Sequence, residues 1–356
     1  MTRKSALAAE SAVHFFLCYL ARVFLSGDLP LALENDRMLV GAGTVIFLVL
    51  ALGLRPFLGV FLDELPRFHS QTLGCLLAGL SVLLPSDWIW WSLMLLAVGY
   101  ALFLAGAGGE SLAFARGYFA RSSVLLGAGS LGAVTGSLVG ALPDLLLIVL
   151  SAVAAAASFY FSETRKYPRR IRSFRHSVRT VLSPTVTLFL LLIPALAVSL
   201  VGSLLPAATL GGAVLYLAPL CGAVGCGVGG LACDRFGPRM ATLFAFGIAL
   251  PLLTVFTHIP WLYCIGVAAL HMPLSAVLGA STAILSTRPH FAFGLCGAVL
   301  LLGGIPALFP ITVTATVRMI SAAVLILGGA VGYFLFTDHC KLFGFYGLIR
   351  KKGVGR

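Results

Sequence analysis

Stretches of about 20 apolar residues follow one another along nearly the whole chain, separated by short turns, and that succession leaves few folds open. A helix of roughly this length crosses the hydrocarbon of a bilayer while satisfying its own backbone groups. Twelve stretches qualify: 6–26, 38–61, 70–85, 88–110, 122–141, 144–162, 184–205, 209–231, 240–257, 259–286, 291–309 and 312–336. Pro143, Pro260 and Pro310 mark turns too tight to leave much loop. With 60% of 356 residues hydrophobic and 10% charged, the main solvent of this chain is lipid. The fold class is an all-α integral membrane protein of about twelve transmembrane helices, with ten or eleven spans as the alternatives.

The placement of charge orients the spans. Of the 24 lysines and arginines, Arg22, Arg55 and Arg318 lie within spans. Arg37 alone lies on the side that carries Asp28, Glu34, Asp36, Asp87 and Asp144, and all the others share the side of the termini. The positive-inside rule then places both termini in the cytoplasm, with a bacterial inner (plasma) membrane as the expected location. The same distribution explains the net charge of +12 as membrane topology, so nucleic acid is not an expected partner. Eight cysteines are scattered without a Cys-x-x-Cys pair, so neither a disulfide framework nor a metal site is indicated and no cofactor is expected. Met1 to Lys4 is followed by an apolar stretch that carries Glu10, His14 and Arg22, which reads as a first helix rather than a signal peptide.

One charged turn is repeated. Gly229 to Arg239 joins two apolar runs, with Gly230, Asp234, Arg235, Gly237 and Arg239 in the spacing Gly-x-x-x-Asp-Arg-x-Gly-x-Arg. Asp234 stands where the next helix begins, so it is expected to cap that helix. Arg235 and Arg239 can meet lipid phosphates or acidic side chains. A degraded echo, Gly59 and Asp63 with Arg67 downstream, lies 171 residues earlier, and Arg-x-x-Phe-Ala occurs at both Arg116 and Arg288, an offset of 172. Two short matches at nearly one offset, close to half the chain, point to two related halves. The division is 1–162, a basic linker 163–183, a second six-helix half 184–337 and a basic tail 338–356.

This loop pattern resembles the signature of the major facilitator superfamily, with Pro238 where that family often has a basic residue. Six helices, a basic linker and six more helices fit the resemblance over nearly the whole chain. It implies a compact, monomeric transporter whose substrate path runs between the halves, lined mainly by the first, fourth, seventh and tenth helices, with alternating access. The glycine-rich fifth helix, with Gly132, Gly136 and Gly140 every four residues, leaves one bare face and packs closely. It resembles the fifth-helix motif of the family's antiporters but lacks its proline.

Polar residues inside spans carry the functional argument, because each charge costs about 2.5 to 3.5 kcal/mol on insertion scales. Glu10, His14, Cys18 and Arg22 are spaced by four and form one stripe on the first helix. Glu10 and His14 could share a proton, or Glu10 could sit at the interface while His14 bonds a neighbouring helix. Arg22 could bind an anionic substrate group or pair with Asp28 or another acid. Arg55 and Glu110 fall near the inner ends of their spans and suit a charge pair that holds an inner gate shut. His271, beside Pro273 in the tenth span, could be a ligand or a packing residue. Tyr100, Pro194 and Ser199 are further cavity candidates, and Arg318 suits structural pairing.

The expected function is a secondary transporter moving a small molecule, with protons as coupling ion. A transporter-like sensor or scaffold is the alternative. An enzyme is not expected, since no set of catalytic groups lies at one depth, and no Gly-x-x-x-x-Gly-Lys-[Ser/Thr] loop for ATP occurs.

Overall fold

The computed structural model describes residues 3–65, 68–115, 117–161, 177–180, 182–205, 212–308 and 314–343. Arg67, Arg116, most of the linker and the end of the tail lie outside these residues. Among them, nine helices are long and apolar enough to cross a membrane and three more apolar helices are shorter. In chain order the first half holds α1 (Arg3–Val23, continued to Ala32), α2 (Arg37–Leu48, continued to Glu64), α3 (Ser70–Leu83), α4 (Ile89–Ala115), α5 (Phe119–Val139) and α6 (Asp144–Phe161). The second holds α7 (Pro184–Leu204), α8 (Gly212–Phe236), α9 (Pro238–Thr254), α10 (Pro260–Ile284), α11 (Pro289–Gly304) and α12 (Ala315–His339). The protein is an all-α, multi-pass membrane protein, with twelve apolar helices among the described residues.

Several helices run past their apolar stretch at the end of the bundle that bears the basic loops, here called the basic end. α2 continues to Glu64, α4 to Ala115 and α8 to Phe236, so charged residues read as turn are helical. Two helices pass through a wide π turn, α1 at Phe24–Asp28 and α2 at Val49–Gly53, the local form that often marks functional positions.

Large apolar side chains such as Phe57, Leu145 and Tyr160 are exposed and form the lipid-facing surface of a membrane bundle. α4 and α10 are the most enclosed helices, apolar all round as an interior helix must be. The halves meet where α5 packs on α8 and α10, and where α2 and α4 pack on α11. Among the described residues one feature is extended and not helical. Ser177–Thr180 (β1) pairs antiparallel with Cys340–Phe343 (β2), Val178 opposite Leu342, so the linker and the tail join. The alternation of residues there gave no strand signal apart from the surrounding basic run.

The glycine stripe of α5 does pack closely. A side chain at Gly132 would meet the backbone of Phe15, at Gly129 the ring of His14, and at Gly136 the carbonyl of Tyr19 and the side chain of Arg22. Three glycines on α5 thus bring the backbone of α1 into contact, and Tyr19 donates its hydroxyl to the Gly140 carbonyl at 2.6 Å.

Candidate functional site

At the basic end the repeated turn builds two reciprocal clamps between the halves. Asp234, still within α8, accepts from the N–H groups of Phe119 at 3.0 Å and Ala120 at 3.1 Å. Asp63, within α2, accepts from the N–H groups of His290 at 3.2 Å and Phe291 at 3.0 Å. Each carboxylate caps the helix that starts in the opposite half, α5 or α11, and complements the positive end of its dipole. Every pair in one clamp maps onto the other at the offset of 171 residues. This corrects the expectation that Asp234 caps the helix after it. α8 runs on to Phe236 and α9 begins on Pro238 with Gly237 as its N-cap, so the carboxylate projects sideways from a helix instead of leading one.

The motif glycines serve these clamps. A Cβ on Gly59 would lie 2.6 Å from the His290 carbonyl carbon, and one on Gly230 would lie 2.6 Å from the Ala120 Cα. Gly237 has φ +89°, the left-handed conformation that ends a helix at little cost to glycine. Arg235 and Arg239 stay outside the clamps. Arg235 lies over the ring of Phe236, and Arg239 over Phe334 with Asp338 at 4.0 Å. The clamps differ in two respects. His290 also donates from ring Nδ1 to Asp63 at 2.7 Å, and Glu64 faces Arg288 at 3.6 Å.

A polar cluster lies mid-bundle where α1, α2 and α4 meet. His14 Nδ1 faces the Leu125 carbonyl at 2.7 Å; a carbonyl only accepts, so this nitrogen carries a proton. In the neutral ring Nε2 is then an acceptor, and it faces the Tyr100 hydroxyl at 3.4 Å, with the Cys18 thiol 3.0 Å from that hydroxyl on its other side. Neither ring nitrogen faces Glu10, which is itself buried, so of the two readings the arrangement found is His14 bonded to neighbouring helices and not a proton shared with Glu10.

Arg55 joins this cluster. Its Nε donates to the Ala51 carbonyl at 2.7 Å and its guanidinium carbon lies 5.4 Å from the centre of the Tyr100 ring. Pro56 follows it and has no N–H. In the wide π register that missing donor would have served Ala51, so the guanidinium replaces it. The expected inner-end pair with Glu110 is not formed. Glu110 lies ten residues along α4 from Tyr100, about 15 Å of helix rise. Arg55 itself lies nine residues before the end of α2 because that helix extends to Glu64.

The remaining candidates are separate. Arg22 is exposed and donates from Nε to the Ser137 hydroxyl on α5 at 2.6 Å. His271 back-bonds to Val267 at 2.8 Å and its ring sits against Gly222 of α8, within the second half. Ser199 donates to the Leu300 carbonyl at 2.6 Å. Arg55 and Cys18 were among the expected polar residues but with other partners, whereas the His290 ring was not singled out. The offset of 171 could have found His290, since it is where a partner for Asp63 falls.

No protein-family model matches the chain, and no curated protein matches it. Solved structures do. A bacterial homologue of the iron transporter ferroportin in an outward-facing state is 13% identical, with a TM-score of 0.67 over 94% of this chain and 99% of the other. The major facilitator superfamily transporter FucP in an outward conformation is 13% identical, with a TM-score of 0.59 over 92% and 98%. A variant of the E. coli fucose:proton symporter FucP is 12% identical, with a TM-score of 0.57 over 93% and 99%. From the paired six-helix halves, their reciprocal clamps and these near full-length likenesses, the chain has the fold of the major facilitator superfamily transporters.

Proposed function

We propose that the chain is a secondary transporter that moves a small molecule by alternating access, with protons as the coupling ion. The observation that carries this reading is the pair of clamps. They close one end of the interface between the halves through a few hydrogen bonds to helix ends, while the polar cluster lies deeper in the bundle. Four such bonds and one ring contact can open without disturbing either core, as a rocking transporter requires.

The cluster supports proton coupling. If His14 gains a proton at Nε2, it turns from acceptor to donor, and the Tyr100 hydroxyl reverses toward Cys18. Glu10, buried one turn away on α1, is a further titratable group of this region. That one structural relative is a fucose:proton symporter and another a homologue of an iron transporter supports transport while leaving the cargo open. In this reading the basic end faces the cytoplasm, the membrane is the bacterial inner membrane, and the monomer is the working unit.

The test is uptake by the full chain in proteoliposomes with a pH-sensitive dye inside, comparing the wild type with Glu10→Gln, His14→Gln and the double variant Asp63→Asn/Asp234→Asn. Compound-dependent proton movement lost in the first two and altered in the third supports the reading. Compound movement without proton movement removes proton coupling, and neither movement across a broad panel removes transport.

A further inference from the structure

Arg55 is 5% exposed at mid-bundle, and no carboxylate pairs with it among the described residues, whose ion pairs join other side chains. Such a charge is costly in a membrane protein unless an anion or water balances it. A cavity of about 20 Å³ lies beside it, room for a water molecule in this conformation. The lining is uneven. Arg55 is its charged member, while the second half contributes an apolar wall that includes Leu274, Leu278, Phe293 and Leu300.

The two halves differ at this point. The offset of 171 that superposes the clamps places Cys226 opposite Arg55 and His271 opposite Tyr100. The second-half pair turns inward on itself, the Cys226 thiol facing the His271 carbonyl at 3.7 Å. Gly297 on α11 makes room for the guanidinium, since a Cβ there would sit 3.1 Å from Nη1. Ala51 occupies Nε, and Tyr100 covers one face of the guanidinium and accepts a hydrogen bond from it at its hydroxyl, while Arg55 lines the cavity.

We infer that Arg55 is the anchor of an amphipathic organic anion, its carboxylate or similar group on the guanidinium and its apolar body against the wall of α10 and α11. This assignment deepens the transporter reading and rests on it for the claim that the bound anion is cargo. The fork of Arg55 suits a two-oxygen acceptor, the leucines and Phe293 reward an apolar body, and a cation is repelled. The cavity must widen to admit such a ligand, which separation of the halves provides.

The experiment is calorimetric titration of the purified full chain with 4-phenylbutyrate, acetate, 4-phenylbutyramide and phenyltrimethylammonium, using wild type, Arg55→Gln and Arg55→Lys. Phenylbutyrate is expected to bind at least about tenfold more tightly than the amide, with that advantage lost in Arg55→Gln and partly kept in Arg55→Lys. Acetate is expected to bind more weakly for want of an apolar body. Ligand-free Arg55→Gln is expected to unfold at no lower temperature than wild type, because it removes an uncompensated charge. Equal binding of the amide or the cation, unchanged phenylbutyrate affinity in Arg55→Gln, no binding by either carboxylate, or a large loss of ligand-free stability in Arg55→Gln each overturns the assignment. Flux of labelled phenylbutyrate in proteoliposomes separates the two readings. Binding without flux keeps the anion site and defeats transport as its purpose, whereas flux of the amide unaffected by Arg55→Gln keeps transport and defeats the anion site.

Discussion

Asp63 holds His290 twice, one carboxylate oxygen accepting from the backbone N–H at 3.2 Å and from ring Nδ1 at 2.7 Å. Its counterpart Asp234 holds Phe119 by the backbone alone. The clamp on α11 therefore has a side-chain hydrogen bond to its aspartate that the clamp on α5 lacks. A charged hydrogen bond contributes about 1.5 to 3 kcal/mol, so His290→Phe is expected to weaken closure of the basic end by about tenfold. The corresponding Phe119→Leu removes no hydrogen bond to Asp234, and any loss it brings is that of ring packing on Gly279 of α10. Spin labels at the exposed positions Leu65 and Phe236, one in each half, in a background freed of native cysteines, report the separation. An unchanged distance distribution in His290→Phe speaks against the side-chain contact as a closing element.

Gly59 and Gly230 admit the helix ends they face. Alanine at either site places a Cβ 2.6 Å from backbone of the opposite half, and forcing such an overlap costs about 1 to 3 kcal/mol. Both variants are expected to fold and to shift the label distances toward the open form, and Gly59→Ala/Gly230→Ala more than either alone. Alanine at Gly247, where nothing lies within 4 Å, is the control and leaves the distances unchanged.

The stripe on α5 acts within one half, so its disruption has a different outcome. Gly132→Val drives a branched side chain into the backbone of Phe15, and two helices cannot part there without losing the neighbouring contacts of His14 and Tyr19. The expected result is a loss of about 2 kcal/mol or more, or failure to fold, seen as a lower unfolding temperature in detergent. Similar melting of Gly132→Val and wild type contradicts the packing.

Tyr100→Phe keeps the ring under Arg55 and deletes the hydroxyl between His14 and Cys18. The expected cost to stability is small, about 1 kcal/mol, while proton movement per compound transported falls. Full coupling in Tyr100→Phe excludes the hydroxyl from the proton route.

The architecture was legible because membrane helices declare themselves by length and the halves by a shared offset. The partners of the motif were not. Asp234 reads as the cap of the next helix so long as the charged turn is taken as loop. Only the continuation of α8 to Phe236 turns its carboxylate toward Phe119. Arg55 was misplaced for a related reason, since an apolar stretch ends where hydropathy falls, whereas α2 continues to Glu64 and leaves the arginine deep in the bundle. Its rotamer depends on the π turn and Pro56, which hydropathy does not encode. Tyr100 and Cys18, ordinary residues of apolar runs, gain significance from three helices meeting.

The most direct test of the central claim is proton movement in proteoliposomes holding the full chain, with a pH-sensitive dye inside and a compound panel outside that includes organic anions. The account predicts a compound-dependent pH change in the wild type that is lost in Glu10→Gln and strongly reduced in Asp63→Asn/Asp234→Asn. Neither a pH change nor compound uptake across the panel, from protein whose labels still show the closed basic end, would contradict transport and favour a sensor or scaffold built on the same fold.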